Sequence, residues 1–291
     1  MKDLKQITVI GLGLLGGSVS MTVLRNFSNV KAVGYAHRES TAQKAKKLQI
    51  ATEVTSDICK SVSNSDIVIL ATPISTFNDI FKQIAGNLKK GCIITDVGST
   101  KVSPHKWAQK NLPSHVYYVG SHPIAGSEQR GIEYARDDLF DNASCIITKT
   151  KNTNPNAVIL LEKFWSRMGC YVKILTPAEH DRIFASVSHV PHLTAAALLN
   201  ANPDELLRFA GKGFFDTSRV ASGPANIWAD IFITNSRNCC ESIDKLIDEL
   251  LKLKSAINSK DKKQIEKLLE QARTKRAEMI NYKINTEEVI S

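Results

Sequence analysis

Residues 7–16 read Ile7-Thr8-Val9-Ile10-Gly11-Leu12-Gly13-Leu14-Leu15-Gly16, a β-type run that passes directly into a glycine-rich turn. Residues 14–26 then carry helical periodicity, so the local order is strand, turn, helix. In doubly wound α/β folds that order binds a dinucleotide, because backbone N–H groups and a helix N-terminus converge on the phosphates. Gly11 makes the tight turn, Gly13 admits the pyrophosphate to the backbone, and Gly16 lets the helix pack on its strand. Leu14 and Leu15, at the helix start, are counted with the cofactor-binding residues. A glycine-rich turn holding no ligand is the competing reading.

Outward from this unit, strand-like runs alternate with helical ones to about residue 175. Strands are expected near 7–11, 31–35, 66–71, 92–96, 116–120, 143–148 and 171–175, with helical spacing in 40–49, 75–88 and 156–168. Such alternation predicts a mostly parallel sheet with helices on both faces, a Rossmann-type domain over residues 1–175. Residues 67–71 (Ile-Val-Ile-Leu-Ala) are apolar on both faces, as a doubly covered sheet requires. Beyond Thr176-Pro177 only helical periodicity is found, over 178–202, 203–211, 226–255 and 260–283. Thr176 suits an N-cap and Pro177 the first turn. Residues 176–291 are therefore expected to form an all-helical domain, whose long amphipathic helices point to a homodimer.

The chain has 291 residues, 43% of them hydrophobic, enough for two cores. No apolar stretch approaches the roughly 20 residues that span a bilayer. The opening Met-Lys-Asp-Leu-Lys-Gln runs straight into the first strand, so no signal peptide is expected. Six cysteines show neither C-x-x-C nor zinc spacing, which suits a reducing cytoplasm. The formal charge of +9 raises the question of nucleic acid. Many of the lysines lie between Lys245 and Lys283, interleaved with acids at helical spacing, which reads as a solvated helix face. No nucleic-acid motif accompanies them. A positive field does favour capture of small polyanions.

The end of the second strand bears on the cofactor. An NAD-binding fold places an acid there, about 20 residues past the glycines, to hold the ribose 2′-OH. This chain reads Tyr35-Ala36-His37-Arg38-Glu39-Ser40-Thr41. Arg38 can pair with a 2′-phosphate, with His37, Ser40 and Thr41 around it, so NADP is expected over NAD. The alternative is that Glu39 reaches back to the ribose. Thr72 and Pro73, after the strand at 66–71, complete the expected cofactor set.

Three segments carry candidate chemistry. Asp96-Val97-Gly98-Ser99-Thr100-Lys101 follows a strand, at the edge where open α/β sheets bind ligands, so Ser99 is placed toward a nicotinamide; a simple helix cap is the alternative. Gly120-Ser121-His122-Pro123 also follows a strand, and an imidazole there is a versatile proton acceptor, though a lone histidine can be structural. In the helical half, Ser188-His189-Val190-Pro191-His192 and Asp216-Thr217-Ser218-Arg219 stand out. Two histidines three apart could hold a metal, but nothing nearby completes a shell, so no metal is expected. Arg219, read as lying in a glycine-flanked loop, could clamp a carboxylate or form an interdomain ion pair.

Taken together, residues 11–18, Asp-Val-Gly-Ser-Thr-Lys (96–101) and His-Pro-Ile-Ala-Gly-Ser-Glu (122–128) resemble the prephenate/arogenate dehydrogenase family of tyrosine biosynthesis. Glu179-His180-Asp181, residues 188–192 and Gly-Phe-Phe-Asp-Thr-Ser-Arg-Val-Ala (213–221) extend the match over nearly the whole chain. The resemblance implies oxidative decarboxylation of prephenate with hydride transfer to NAD(P), in a cleft between a Rossmann-type domain and a helical dimerisation domain. In that family His122 would take the hydroxyl proton, with Ser99 bonding the same hydroxyl and holding His122 in line. Arg219 would bind the ring carboxylate. Ser188, His189 and His192 would line the side-chain end, with Ser127 and Glu128 nearby and Asp216 orienting Arg219 or a histidine. The end of the second strand is more similar to NADP-using arogenate enzymes, which keeps arogenate as the alternative substrate. No fused regulatory or mutase domain is expected after the helical half. Two other readings stand beside this one. A β-hydroxyacid dehydrogenase or imine reductase shares the plan, but the hydroxyacid enzymes' catalytic-lysine segment is missing here. A non-catalytic NADP(H)-binding redox sensor would need no proton acceptor.

Overall fold

The computed structural model describes residues 4–126, 129 and 131–285. Strands β1 (Gln6–Ile10), β2 (Lys31–Tyr35), β3 (Glu53–Thr55), β4 (Ile67–Leu70), β5 (Ile93–Asp96) and β6 (Tyr117–Tyr118) form one parallel sheet in the order β3-β2-β1-β4-β5-β6. The order turns back between β1 and β4, and the crevice at the carboxyl ends there is where open α/β sheets bind ligands. Strand β4, Ile-Val-Ile-Leu, is buried along its whole length, which explains its unbroken apolar sequence.

Helices α1 (Leu14–Asn26), α2 (Glu39–Lys47), α3 (Ile58–Val62), α4 (Phe77–Ile84), α5 (Val102–Asn111) and α6 (Pro155–Arg167) belong to this half. Helix α4 shows why they dock: Phe77, Ile80, Phe81 and Ile84 fall on one face and are buried. Helix α6 starts at Asn154, whose side chain accepts from the Asn156 and Ala157 N–H groups, and Pro155 fills its first turn.

A second sheet was not expected. Strands β7 (Gly120–Ile124), β8 (Ser144–Thr148) and β9 (Tyr171–Leu175) pair in the order β7-β8-β9, β7 antiparallel to β8 and β8 parallel to β9. The run expected as one strand over 116–120 breaks at Val119, and the chain turns into this second sheet. His122 therefore stands inside a strand, opposite Ile146, and not just past a strand end. The turn is pinned from below. The Ser121 hydroxyl pairs with Thr95 Oγ1 of β5 at 2.7 Å and accepts from Trp165 Nε1 at 2.9 Å.

From Pro177 the described residues hold helices only: α7 (Pro177–Phe184), α8 (Val190–Asn200), α9 (Asp204–Leu207), α10 (Lys212–Ser218), α11 (Ala225–Thr234), α12 (Ser236–Asn258) and α13 (Lys262–Asn285). Thr176 and Glu179 form a reciprocal capping box at the start of α7. The expected helix over 178–202 is interrupted by a π-helical turn, Ala185–His189. Pro191 has no N–H and crowds the carbonyl four residues back, and a wider turn relieves both problems. The expected helix over 226–255 breaks at Asn235. Arg219 lies in a 3₁₀ turn, Arg219–Ser222, directly after α10, and not in an open loop. Helix α13 is mostly exposed and carries pairs such as Lys262–Glu266 and Arg273–Glu270, the pattern of a solvated face. Among the described residues no helix is long and apolar enough to cross a membrane.

Candidate active site

The glycine turn at the end of β1 packs tightly at Gly11 and Gly16 and is open at Gly13. Gly11 has φ +98, and a Cβ there would lie 2.8 Å from the Ala71 carbonyl oxygen. A Cβ on Gly16 would lie 1.8 Å from the Gly11 carbonyl oxygen, so helix and turn touch backbone to backbone. Above Gly13, by contrast, nothing lies within 4 Å of a built Cβ. Gly13 also caps α1 without any side-chain bond, leaving the first-turn N–H groups to an incoming anion. Leu14 and Leu15 are half-buried against the core below.

Around this cradle, the loops after β2 and β4 supply the other cofactor candidates. His37, Arg38 and Ser40 are exposed and Thr41 is half-buried; Arg38 precedes the first residue of α2. Glu39 is engaged along the helix, accepting from Gln43 Nε2 at 3.4 Å. Thr72 pairs with Thr76 Oγ1 at 2.8 Å, and Pro73 is exposed beside it. From the helical half, Asp230 reaches back to accept from the Ser75 hydroxyl at 2.6 Å.

The centre of the site is a chain of three side chains. Nδ1 of His122 lies 2.8 Å from Nε2 of His180, and Nδ1 of His180 lies 2.8 Å from Oδ1 of Asp181. Asp181 also accepts from the backbone N–H groups of Lys101 at 2.7 Å and Val102 at 2.9 Å. Both carboxylate oxygens thus face backbone donors, the arrangement that favours the ionised form against the burial. His180 must then carry its proton on Nδ1 and accept at Nε2, so His122 donates from Nδ1. The remaining lone pair on His122 is at Nε2. That nitrogen is a proton acceptor by construction.

Electrostatics keep it so. Burial pushes His122 well below the ordinary histidine range, and His180, Lys101 and His189 add to the effect. Burial likewise lowers His180 to about 2 and His105 to about 4, with the Lys101 charge adding to both. Asp181 is pushed up by burial, against the pull of the Val102 and Lys101 N–H groups and the Lys101 charge. Lys101 itself has no exposed surface. Its Nζ donates to Asp96 Oδ1 and to the Ser121 carbonyl at 2.7 Å, while Tyr118 donates to Asp96 Oδ2 at 2.6 Å. A buried cation near these imidazoles disfavours their protonation.

The other histidines flank this centre. His189 is buried; burial lowers it to about 4, opposed by Asp181 and by the nearby Ser99 backbone. His192 stacks on Trp228 with ring centroids 3.6 Å apart, and its Nδ1 is buried without a hydrogen-bond partner among the described residues. The Val220 backbone bears on His192 as well, which brings the Arg219 turn alongside it. Arg219 and Asp216 are exposed and Ser188 is half-buried. Among the described residues, no hydrogen bond joins Ser99 to His122, which is held by His180 instead. Ser127 and Glu128 lie outside the described residues. Among those described, no group of three or more His, Cys, Asp or Glu side chains could hold a metal.

His180, Asp181 and Lys101 were not assigned roles from sequence. The Glu179-His180-Asp181 triplet, directly after the Thr176-Pro177 helix start, was the available signal.

A family model described as the prephenate dehydrogenase nucleotide-binding domain matches residues 20–181, and one described as the prephenate dehydrogenase dimerization domain matches residues 176–271. Cyclohexadienyl dehydrogenase of Zymomonas mobilis is 32% identical over 268 residues, covering 90% of this chain and 91% of its own. Prephenate dehydrogenase of Bacillus subtilis is 31% identical over 268 residues, covering 90% of this chain and 72% of its own. Among solved structures, prephenate dehydrogenase from A. aeolicus in complex with hydroxyphenyl propionate and NAD+ matches with a TM-score of 0.89 at 31% identity, covering 95% of this chain and 99% of that one.

Proposed function

The chain belongs to the prephenate dehydrogenase family, and on that premise we propose that it converts prephenate to 4-hydroxyphenylpyruvate and carbon dioxide with reduction of NADP. The observation that carries this reading is the Nε2 lone pair of His122, left as the outlet of the Asp181–His180–His122 chain.

A bound nicotinamide supplies the hydride acceptor. The chain's own groups do the rest. His122 Nε2 takes the proton of the C4 hydroxyl as the C4–H bond gives up its hydride, so C4 becomes a carbonyl. Loss of the ring carboxylate as carbon dioxide returns an electron pair to the ring, and the resulting phenolate recovers its proton from His122. Protonated His122 is stabilised through His180 by the Asp181 carboxylate, a positioned base of the kind that contributes roughly 10²–10⁴-fold. Ser99 would donate to the same hydroxyl. Arg219 would hold the ring carboxylate with its guanidinium fork, with Asp216 orienting it. Ser188, His189, His192, Ser127 and Glu128 are assigned to the side-chain end.

NADP is preferred on charge. Arg38 has no acidic partner among the described residues, Glu39 is engaged with Gln43, and Ala36 occupies the place of an acid. Hydroxyphenyl propionate and NAD+, the molecules named with the A. aeolicus relative, have the form of the proposed product and cofactor class. The cyclohexadienyl dehydrogenase relative keeps arogenate, which differs from prephenate only at the side-chain amine, as a second substrate. This reading divides the chain at 175/176 into nucleotide-binding and helical domains. It also makes the protein a homodimer, which would cover side chains such as Phe209, 87% exposed, and Ile233, 74% exposed.

A two-by-two assay following reduced-cofactor absorbance, with prephenate or arogenate against NAD or NADP, tests the reading. Turnover is expected with prephenate and NADP; absence of turnover in all four combinations would remove it.

A further inference from the structure

Asn235 separates α11 from α12 and is buried, 4% exposed. Its Nδ2 lies 2.7 Å from the Asp181 backbone carbonyl oxygen and 3.2 Å from Nδ1 of His189, and its Oδ1 accepts from Asn238 Nδ2 at 2.7 Å. A backbone carbonyl can only accept, so the amide atom facing Asp181 is the NH2 group. The second N–H of that group is then directed at His189, whose Nδ1 must be the unprotonated nitrogen. The Cys239 thiol approaches the same Nδ1 at 3.8 Å. Burial pushes that thiol up to about 11, so it too arrives as an S–H donor. A neutral imidazole that accepts at Nδ1 carries its proton on Nε2. Nε2 of His189 is buried and makes no full hydrogen bond among the described residues, with only a weak backbone contact from Ser99 to its ring. It sits in the working part of the molecule: Asp181 and the Ser99 backbone act on its ring, and its charge would in turn lower His122 and His180. A buried polar N–H left unpaired is costly unless a ligand atom completes the bond.

We propose that Asn235 is a positioning residue that fixes the His189 tautomer, so that His189 offers an N–H donor to an acceptor oxygen of the substrate. The inference rests on reading this cleft as the cyclohexadienyl-acid site. The same amide holds the Asp181 carbonyl, so one side chain ties the recognition donor to the chain of groups that ends at His122. A carboxylate, keto or hydroxyl oxygen satisfies His189 in this state. An ammonium group there would set donor against donor.

The test uses the intact protein with histidine-selective 15N labelling, which separates the two tautomers by the shifts of their ring nitrogens. His189→Gln assigns the His189 signals among the seven histidines. Wild-type His189 is expected to be protonated on Nε2 and bare on Nδ1. Asn235→Ala should mix the tautomers and lower kcat/KM for prephenate about tenfold, the worth of one buried hydrogen bond, with dinucleotide Kd within about twofold. Should Asn235→Ala fail to fold, the wild-type spectrum alone decides. Protonation of wild-type His189 on Nδ1, or an Asn235→Ala enzyme with unaltered tautomer and kcat/KM, would overturn the proposal. An enzyme with the expected tautomer but no turnover of prephenate or arogenate would instead count against the proposed function.

Discussion

Replacing Lys101 with methionine probes the electrostatic floor beneath the histidines. Lys101 and Asp96 have no exposed side-chain surface, and Lys101 also donates to the Ser121 carbonyl at 2.7 Å. Methionine keeps much of the volume but leaves Asp96 a buried carboxylate held, among the described residues, by Tyr118 at 2.6 Å and the Gly98 N–H at 2.8 Å. Removing one partner of a buried pair costs about 3–5 kcal/mol, because the remaining charge is not rehydrated. At roughly 2–4 °C per kcal/mol for a domain of this size, Tm should fall by roughly 6–20 °C. The double variant Asp96→Asn/Lys101→Met leaves no unpaired charge and should recover most of that loss. The substitution has a second, electrostatic signature. A base acts in its neutral form, so kcat/KM falls as pH drops through its pKa. The Lys101 charge lowers His122 and His180, so removing it should move the acid limb of kcat/KM to higher pH. Calorimetry reads the first effect and a pH–rate profile at a temperature well below the lowered Tm reads the second. A single variant within about 1 kcal/mol of wild type, or an acid limb that stays in place or moves down, would refute the reasoning.

Arg38→Ala should abolish the preference for NADP over NAD while leaving NAD kinetics within about twofold, since only a 2′-phosphate contact worth about 1.5–3 kcal/mol is lost. Parallel KM measurements for the two cofactors check this, and an intact preference would place the phosphate elsewhere. Arg219→Ala should raise KM for prephenate roughly 10- to 150-fold, the range of a charge-assisted hydrogen bond. An unchanged KM would assign the ring carboxylate to another group. Asp181→Asn puts an amide N–H against one of three donors and removes the charge behind protonated His122, so kcat should fall by about tenfold or more with dinucleotide Kd unchanged. A kcat within about twofold of wild type would mean that the histidine chain does not act on the reaction.

The elements that fix their own shape locally were legible. Helix α1 spans Leu14–Asn26 and strand β2 spans Lys31–Tyr35, both as expected, because glycine punctuation and apolar periodicity decide them. The second sheet was not legible. Which sheet the run after Val119 joins depends on Ser121 meeting Thr95 and Trp165, partners 26 and 44 residues away. The three-residue β3, Glu53–Thr55, is half-buried and too short to carry a period. Lys101 escaped notice for a related reason: lysines are surface residues by default, and only the assembled core shows this one paired and enclosed. His180 was visible as a residue but not as a partner, since it lies 58 positions from His122 in the chain. The π turn at Ala185–His189 reads as ordinary helix until Pro191 is set against the carbonyl it crowds.

Full replacement of the proposed base gives the most direct test. His122→Asn retains a side-chain amide able to bond His180 but supplies no basic nitrogen, and the glycine cradle around Gly11 and Gly13 is untouched. With prephenate and NADP at saturation, kcat should fall by roughly 10²–10⁴-fold while dinucleotide Kd, measured by titration, stays within about twofold. Turnover at the wild-type rate would show that the proton leaves by another route.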